Sequence, residues 1–189
     1  MHKNKKTNTN LIILAAHSGA GKSTIIRALQ ERHPDWLFSV SCTTRSPRNN
    51  EKNTVAYHFV SRVEFEELIS NDELLEHEEV HGEYYGTKRS VADDTIKLNQ
   101  RIIFDLDVFG ALHVKKLYPQ HSLSIFIDVP DLKILEDRLK KRGSDSAEKI
   151  AKRLSRIPME REKIEYFDKV VINDKLHETI NFIDELLTL

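Results

Sequence analysis

The apolar run Leu-Ile-Ile-Leu-Ala-Ala at Leu11–Ala16, followed at once by His-Ser-Gly-Ala-Gly-Lys-Ser-Thr, constrains the fold of this chain more than any other feature. Six consecutive apolar residues predict a strand buried on both faces, because one exposed face would impose alternation. Lys22–Arg32 then sets Ile25, Ile26 and Leu29 at helical spacing. Strand, glycine turn and helix in that order make half of a βαβ unit. Apolar runs at 102–106 (IIFDL), 123–129 (LSIFIDV) and Lys169–Ile172 (KVVI) are each followed by a helical pattern, the last by an amphipathic stretch over 176–187. Strands alternating with helices predict a parallel sheet covered on both sides.

Two segments interrupt this rhythm. Residues 41–89 read as short mixed strands around a helix near 63–70, and Gly-Ser-Asp-Ser at 143–146 reads as a tip between two arginine-bearing helices. Inserted lobes on a rigid α/β core suggest closure around a substrate. Trp36 precedes an expected strand over 37–42 and reads as a packing residue.

Residues 16–23, Ala-His-Ser-Gly-Ala-Gly-Lys-Ser, miss the strict P-loop pattern only at Ala16, where glycine is usual. The chemistry survives that change. Gly19 and Gly21 allow backbone N–H groups to turn inward around phosphate oxygens, and the helix that follows adds its positive N-terminal end. Lys22 can reach the terminal phosphates of a nucleotide, and the Ser23 hydroxyl can ligate Mg²⁺. Asp105, at the end of the 102–106 run, is the candidate second group of that metal shell, with a strand-end capping aspartate as the alternative.

Arg45 and Arg48 flank Pro47, which stiffens their loop. Two fixed guanidinium groups can grip one phosphate with paired hydrogen bonds. Arg138 and Arg142 are four apart on an expected helix and share a face; Arg153 and Arg156 follow on the next. A solvated charged face is the ordinary reading of such residues. The phosphate loop favours the other, since phosphoryl transfer needs more cation along its path than one lysine supplies.

Composition limits the remaining classes. With 189 residues, 39% hydrophobic and 31% charged, the chain can build one core carrying small inserted lobes. A formal net charge of -1 gives no overall attraction to nucleic acid or an anionic membrane surface. The single cysteine, Cys42, cannot form an intrachain disulfide and fits a reducing, cytoplasmic setting. Residues 1–10 read as a disordered polar leader, and the apolar run behind them is too short for an export signal. No stretch approaches the roughly 20 apolar residues of a membrane helix. The nine histidines, among them His58, His77, His81 and His113, show no metal-ligand spacing.

The segments Ser-Gly-Ala-Gly-Lys-Ser-Thr, Ser-Val-Ser-Cys-Thr-Thr-Arg-Ser-Pro-Arg, Tyr-Tyr-Gly-Thr, Asp-Leu-Asp and Arg-Leu-Lys-Lys-Arg-Gly, in that order, resemble guanylate kinase from about residue 11 to the end. The resemblance implies a three-layer α/β P-loop sandwich with a central parallel sheet over 11–40, 90–137 and 156–189. It also implies an inserted mixed α/β lobe for the nucleoside monophosphate over about 41–89, and a short helical lid over about 138–155. By the same resemblance the GMP phosphate site looks like Arg45, Arg48, Tyr57 and Tyr85, and the guanine contacts look like Ser41, Glu76 and Thr87 with Asp107 beside them. The ATP side looks like Ser18, Gly19, Ala20, Gly21, Lys22, Ser23 and Thr24, with Arg138, Arg142 and Asn173; Lys22, Arg45, Arg138 and Arg153 look catalytic. The implied co-substrate is ATP, the implied metal is Mg²⁺ at Ser23 and Asp105, and the protein would work as a monomer or homodimer.

The base preference has its own chemistry. Guanine presents two adjacent donors, N1–H and the 2-amino group, which one carboxylate accepts together. Adenine offers a lone pair at N1, so a buried carboxylate would be left unpaired. Glu76 sits in the acidic, strand-like segment Leu-Leu-Glu-His-Glu, where an exposed strand glutamate is the plainer reading. Tyr57, Tyr84 and Tyr85 could be ordinary packing residues. Because successive strand residues face opposite ways, only one of Tyr84 and Tyr85 reaches a phosphate, and motif position favours Tyr85.

Ala16 and His17 replace the family's usual Gly-Pro, Phe109 stands where glutamine is usual, and Thr54 stands where glycine is common. None removes a residue the chemistry needs. Two rivals remain: a guanylate-kinase-like protein-binding module, against which the retained Lys22, Ser23 and lid arginines speak, and a P-loop kinase for another small phosphorylated acceptor.

Overall fold

The computed structural model describes residues 9–47, 53, 57–80, 82–142 and 146–188, without the side chains of Val80, Arg142 and Thr188. Arg48, Thr54, His81, most of the expected leader and the tip at 143–145 lie outside the described residues. Asn10, read as part of the leader, belongs to the fold instead. It is 3% exposed, its backbone N–H donates to the His121 carbonyl, and its side-chain amide donates to the Gln100 carbonyl at 2.8 Å.

In chain order the elements are β1 (Leu11–Ala16), α1 (Lys22–Arg32), β2 (Leu37–Phe38), β3 (Cys42–Thr43), β4 (His58–Phe59), α2 (Arg62–Ser70), β5 (Leu74–Val80), β6 (Glu83–Lys88), α3 (Arg89–Lys97), β7 (Ile102–Asp105), α4 (Val108–Leu117), β8 (Ser122–Asp128), α5 (Lys133–Arg142), α6 (Ala147–Leu154), α7 (Ile157–Arg161), β9 (Lys169–Ile172) and α8 (Leu176–Thr188). Five strands form a parallel sheet in the order β2-β7-β1-β8-β9. The period of two along β1 divides its side chains. Ile12 and Leu14 pack with α1 and α8 through Ile25, Leu29, Ile180 and Ile183. Leu11, Ile13 and Ala15 pack against α3 and α4 through Ala92, Ala111 and Val114. Both faces are therefore covered, which is why the strand carries no polar residue.

The strand expected over 37–42 is divided. β2 joins β7 in the parallel sheet, where the Leu37 and Ser39 N–H groups donate to the Arg101 and Ile103 carbonyls. β3 lies in a second, four-stranded mixed sheet of order β4-β3-β6-β5. Its own small core, Cys42, Phe65 and Leu74, is closed by α2. That helix starts at a reciprocal capping box, with Ser61 accepting from the Glu64 N–H and Glu64 accepting from the Ser61 N–H.

Because the core strands are parallel, the ends of β1, β7 and β8 open on one rim. In sheets of this kind, ligands bind outside the carboxyl ends of the strands.

Candidate active site

The turn between β1 and α1 sits on that rim. Gly19 and Gly21 adopt φ +92° and +98°, the left-handed region that favours glycine. Gly21 has a second reason to lack a side chain: a Cβ there would lie 2.6 Å from Asn173 Nδ2. That nitrogen donates to the Ala20 carbonyl at 2.7 Å, so buried Asn173 ties the loop to the end of β9. Arg138 Nη1, from α5, donates to the same carbonyl at 3.3 Å, and Arg153 Nη1, from α6, donates to Ser18 Oγ at 2.8 Å. Both arginines thus touch the glycine loop. Arg142 lies on α5, but its side chain is outside the description. A cavity of about 220 Å³ beside the loop is lined by Gly21, Thr24, Arg138, Asn173, Asp174 and Leu176.

Lys22 Nζ lies 2.6 Å from Asp105 Oδ1 and also donates to the Leu106 carbonyl. β1 pairs with β7 so that Leu14 stands opposite Asp105, which sets the carboxylate beside the loop. Asp105 is one-third exposed, and Ser23, the second residue of α1, is exposed. A carboxylate and a hydroxyl are the hard oxygen donors that Mg²⁺ takes alongside phosphate oxygens and water. The pair therefore fits an ion that arrives with a nucleotide. Among the described residues no cluster of three His, Cys, Asp or Glu could hold a metal ion alone.

The second sheet gathers another set of polar and aromatic side chains. Antiparallel pairing sets Glu76 opposite Thr87, and Glu78 and Thr43 opposite Tyr85. By alternation Glu76, Glu78, Tyr85 and Thr87 share one face. Tyr85 meets Tyr57 edge-on at 5.9 Å, and the Arg45 guanidinium lies 5.4 Å from the Tyr57 ring centre. Tyr84 occupies the other face, stacked on Phe65 at 5.2 Å with its hydroxyl accepting from Arg62 Nη2. Gly86 lies between them for lack of room: a Cβ would come within 2.8 Å of the Glu76 carbonyl and 3.0 Å of Phe65 Cζ. Ser41 is half-buried just before β3, where its carbonyl accepts from the His58 N–H.

Burial pushes the Glu76 carboxyl above the ordinary glutamate range; the neighbouring Thr87 offsets part of this, and the charges of Asp107 and Glu78 add to it. Burial raises Glu78 as well, against the pull of Arg156. Asp107 Oδ1 accepts from the Gly110 N–H at 2.7 Å and so caps α4. Its Oδ2 accepts from Arg156 Nη2 at 3.4 Å. Gly110 is where Asp107 and Glu76 come together: a Cβ there would stand 3.2 Å from both Asp107 Oδ1 and Glu76 Cγ. The segment from Asp105 to Gly110 thus runs from Lys22 at one end to Glu76 at the other.

Gly110, Glu78 and the bridging position of Arg156 were absent from the sequence-derived candidate site. The i, i+2 spacing of Glu76 and Glu78 was the available clue to a shared face. Arg156 stands as the residue before α7, not on the helix that carries Arg153. His17 is buried, with Nδ1 2.7 Å from Glu160 Oε2 and its ring edge-on to Phe126. Phe109 is 38% exposed on the first turn of α4.

A glycine loop at the carboxyl edge of a parallel sheet, met by arginines from α5 and α6 and accompanied by a second, mixed sheet, defines a P-loop nucleotide kinase. The chain belongs to the guanylate kinase family: the sequence profile of that family, described as guanylate kinase, matches residues 8–188. Similar proteins include the guanylate kinase of Carboxydothermus hydrogenoformans, 39% identical over 94% of this chain and 87% of the relative. That of Chlorobaculum tepidum is 43% identical over 90% and 88% of the two chains. The crystal structure of guanylate kinase from Anaplasma phagocytophilum superposes with a TM-score of 0.74 at 31% identity, covering 97% of this chain and 86% of that one.

Proposed function

We propose that this protein transfers the γ-phosphate of ATP to GMP, giving ADP and GDP, and accepts dGMP as well. The observation that carries this reading is one continuous constellation. Lys22, Arg138 and Arg153 gather at the glycine loop, and a half-buried carboxylate, Glu76, stands at the far end of the Asp105–Asp107–Gly110 segment. The family membership of the whole chain adds ATP as donor.

In this reading ATP lies on the loop from Ser18 to Thr24, its base in the cavity beside Asn173. GMP lies on the second sheet, its base on Glu76 and Thr87 with Ser41 and Asp107 nearby, its phosphate on Arg45, Arg48, Tyr57 and Tyr85. Residues 41–89 would act as the acceptor lobe and residues 138–155 as the lid, closing on the core to exclude water as a competing acceptor. A GMP phosphate oxygen attacks the γ-phosphorus in line; the bond to the bridging β–γ oxygen breaks, and ADP leaves with that electron pair. The nucleophile is already an anion, so no strong general base is needed. Lys22 leaves Asp105 for the transferring phosphate, and Arg45, Arg138 and Arg153 offset the charge that develops around it. Ser23 and Asp105 would hold Mg²⁺, which when bound neutralises phosphate charge.

Lys22→Ala tests the reading. Turnover should fall by about three orders of magnitude, as expected for loss of a phosphate-cradling cation, while circular dichroism stays that of the parent. A near-normal rate would overturn the assignment.

A further inference from the structure

Arg156 joins β5 to the start of α4 and is a side chain that the proposed chemistry leaves unused. Its guanidinium reaches carboxylates from three separate elements. Nη1 donates to Glu78 Oε1 at 3.1 Å on β5, Nη2 to Asp107 Oδ2 at 3.4 Å before α4, and Nε faces Glu160 Oε1 at 3.7 Å on α7. Glu160 in turn holds His17 of the glycine loop at 2.7 Å. The Arg156 guanidinium thus sets a single positive charge among three carboxylates. That separates it from Arg138 and Arg153, which bond to the loop itself.

The two closest of those carboxylates flank the residue that reads the base. Glu78 is two residues from Glu76 on the same face of β5, and Asp107 holds the helix turn on which the Glu76 side chain rests at Gly110. Glu76, Glu78 and Asp107 are like charges in one half-buried patch: Asp107 and Glu78 both disfavour ionised Glu76, and Asp107 disfavours ionised Glu78. A planar guanidinium donating in two directions offsets that repulsion and fixes the separation of the two walls. A single exposed ion pair would contribute little; this one is shared, at about 39% exposure, between two parts of the chain that must keep register across a pocket.

We infer that Arg156 is a positioning residue for the acceptor base: by bridging Glu78 and Asp107 it keeps Glu76 aligned between β5 and α4, and so sets affinity and selectivity for guanine. This rests on the guanine-reading role of Glu76 given above. Loss of the bridge loosens the base pocket and leaves the ATP loop, with its own arginines, intact.

The experiment is steady-state ADP formation by the full chain and by Arg156→Gln and Arg156→Lys, with GMP and ATP varied separately and inosine monophosphate, which lacks the 2-amino group, as comparison acceptor. Arg156→Gln should raise KM for GMP about threefold or more, with KM for ATP inside that limit and kcat at saturating GMP above about a third of the parent, the split expected when ground-state positioning is lost. The preference for GMP over inosine monophosphate should narrow, and Arg156→Lys should recover part of both effects. A KM for GMP that moves less than threefold, or KM values for GMP and ATP that rise together, overturns the role. Should Arg156→Gln not fold, Arg156→Lys carries the test: a KM for GMP above the parent's with KM for ATP unchanged supports the role, and an unchanged KM for GMP overturns it. A parent enzyme that forms no ADP with GMP overturns the underlying reading, whereas an active parent with unaltered variants overturns Arg156 alone.

Discussion

Gly110→Ala should separate stability from substrate recognition where Asp107 and Glu76 meet. The new methyl group would stand 3.2 Å from Glu76 Cγ and from Asp107 Oδ1, and 3.5 Å from Glu76 Oε2. The first two distances are a few tenths of an ångström too short for comfortable contact, so one neighbour must give. Asp107 is held by its cap to α4 and by Arg156, and Gly110 is fixed in that helix, so the Glu76 side chain moves. Crowding of this kind costs about 1–2 kcal/mol, while replacing a helical glycine with alanine returns up to about 1 kcal/mol. Global stability should therefore change by no more than about 1 kcal/mol, a shift in Tm of a few degrees. Recognition has no such compensation. A displaced Glu76 weakens its charge-assisted bonds to the base by about 1.4 kcal/mol, or roughly tenfold in KM for GMP. The assay is a coupled measurement of ADP formation with GMP varied at saturating ATP, beside a thermal melt. A raised Tm with unchanged KM for GMP would refute the reasoning, because alanine would then have entered without disturbing the carboxylate.

Glu76→Gln replaces one acceptor with a donor facing donors on guanine. The kcat/KM for GMP should fall by about 3 kcal/mol, roughly 150-fold, with far less change toward AMP, measured as a ratio of the two acceptors. Because burial holds the Glu76 carboxyl above the ordinary glutamate range, the ionised form that binds GMP is lost as pH falls through that raised value; the acid limb of the pH profile for GMP should disappear in the same variant. Gly21→Ala places a side chain 2.6 Å from Asn173 Nδ2 at φ +98°, and should lower stability by about 2–4 kcal/mol and raise KM for ATP, read by melting and kinetics. Away from the site, burial works to raise the Asp168 carboxyl, but the Lys115 ammonium at 2.7 Å and the Ser124 hydroxyl and N–H outweigh it and hold it below the ordinary value of 3.8. That stabilisation is present at neutral pH and is lost as pH falls below 3.8 through the lower folded value. Asp168→Asn should therefore cost about 2 kcal/mol at pH 7 in denaturant titrations, with a gap to the parent that closes in strong acid.

Local patterns carried much of this structure. Lys22–Arg32 was legible as a helix because its apolar spacing begins directly after a glycine turn, and the observed bounds of α1 are the same. Lys169–Ile172 was legible because four apolar or extended residues precede an amphipathic helix. The segment 37–42 was not, since an extended backbone says nothing about which sheet it joins, and the chain changes sheets between Phe38 and Cys42. Asn10 looked like leader because it is polar; partners at Gln100 and His121, about a hundred residues away, bury it. The site divides in the same way. The glycine loop is a local motif, so its residues could be named from the sequence. Gly110 and Arg156 meet β5 only through the fold, and nothing near them in the chain announces Glu76 or Glu78.

The measurement that bears most directly on the whole account is the rate of ADP formation by the purified chain with ATP and each of GMP, dGMP, AMP, UMP and CMP. GMP should be used with a kcat/KM at least about a hundredfold above AMP, UMP and CMP, the discrimination expected of a carboxylate that accepts two donors at once, and dGMP should be accepted too. Equal rates across the bases, or ADP formation that does not depend on any acceptor, would contradict it.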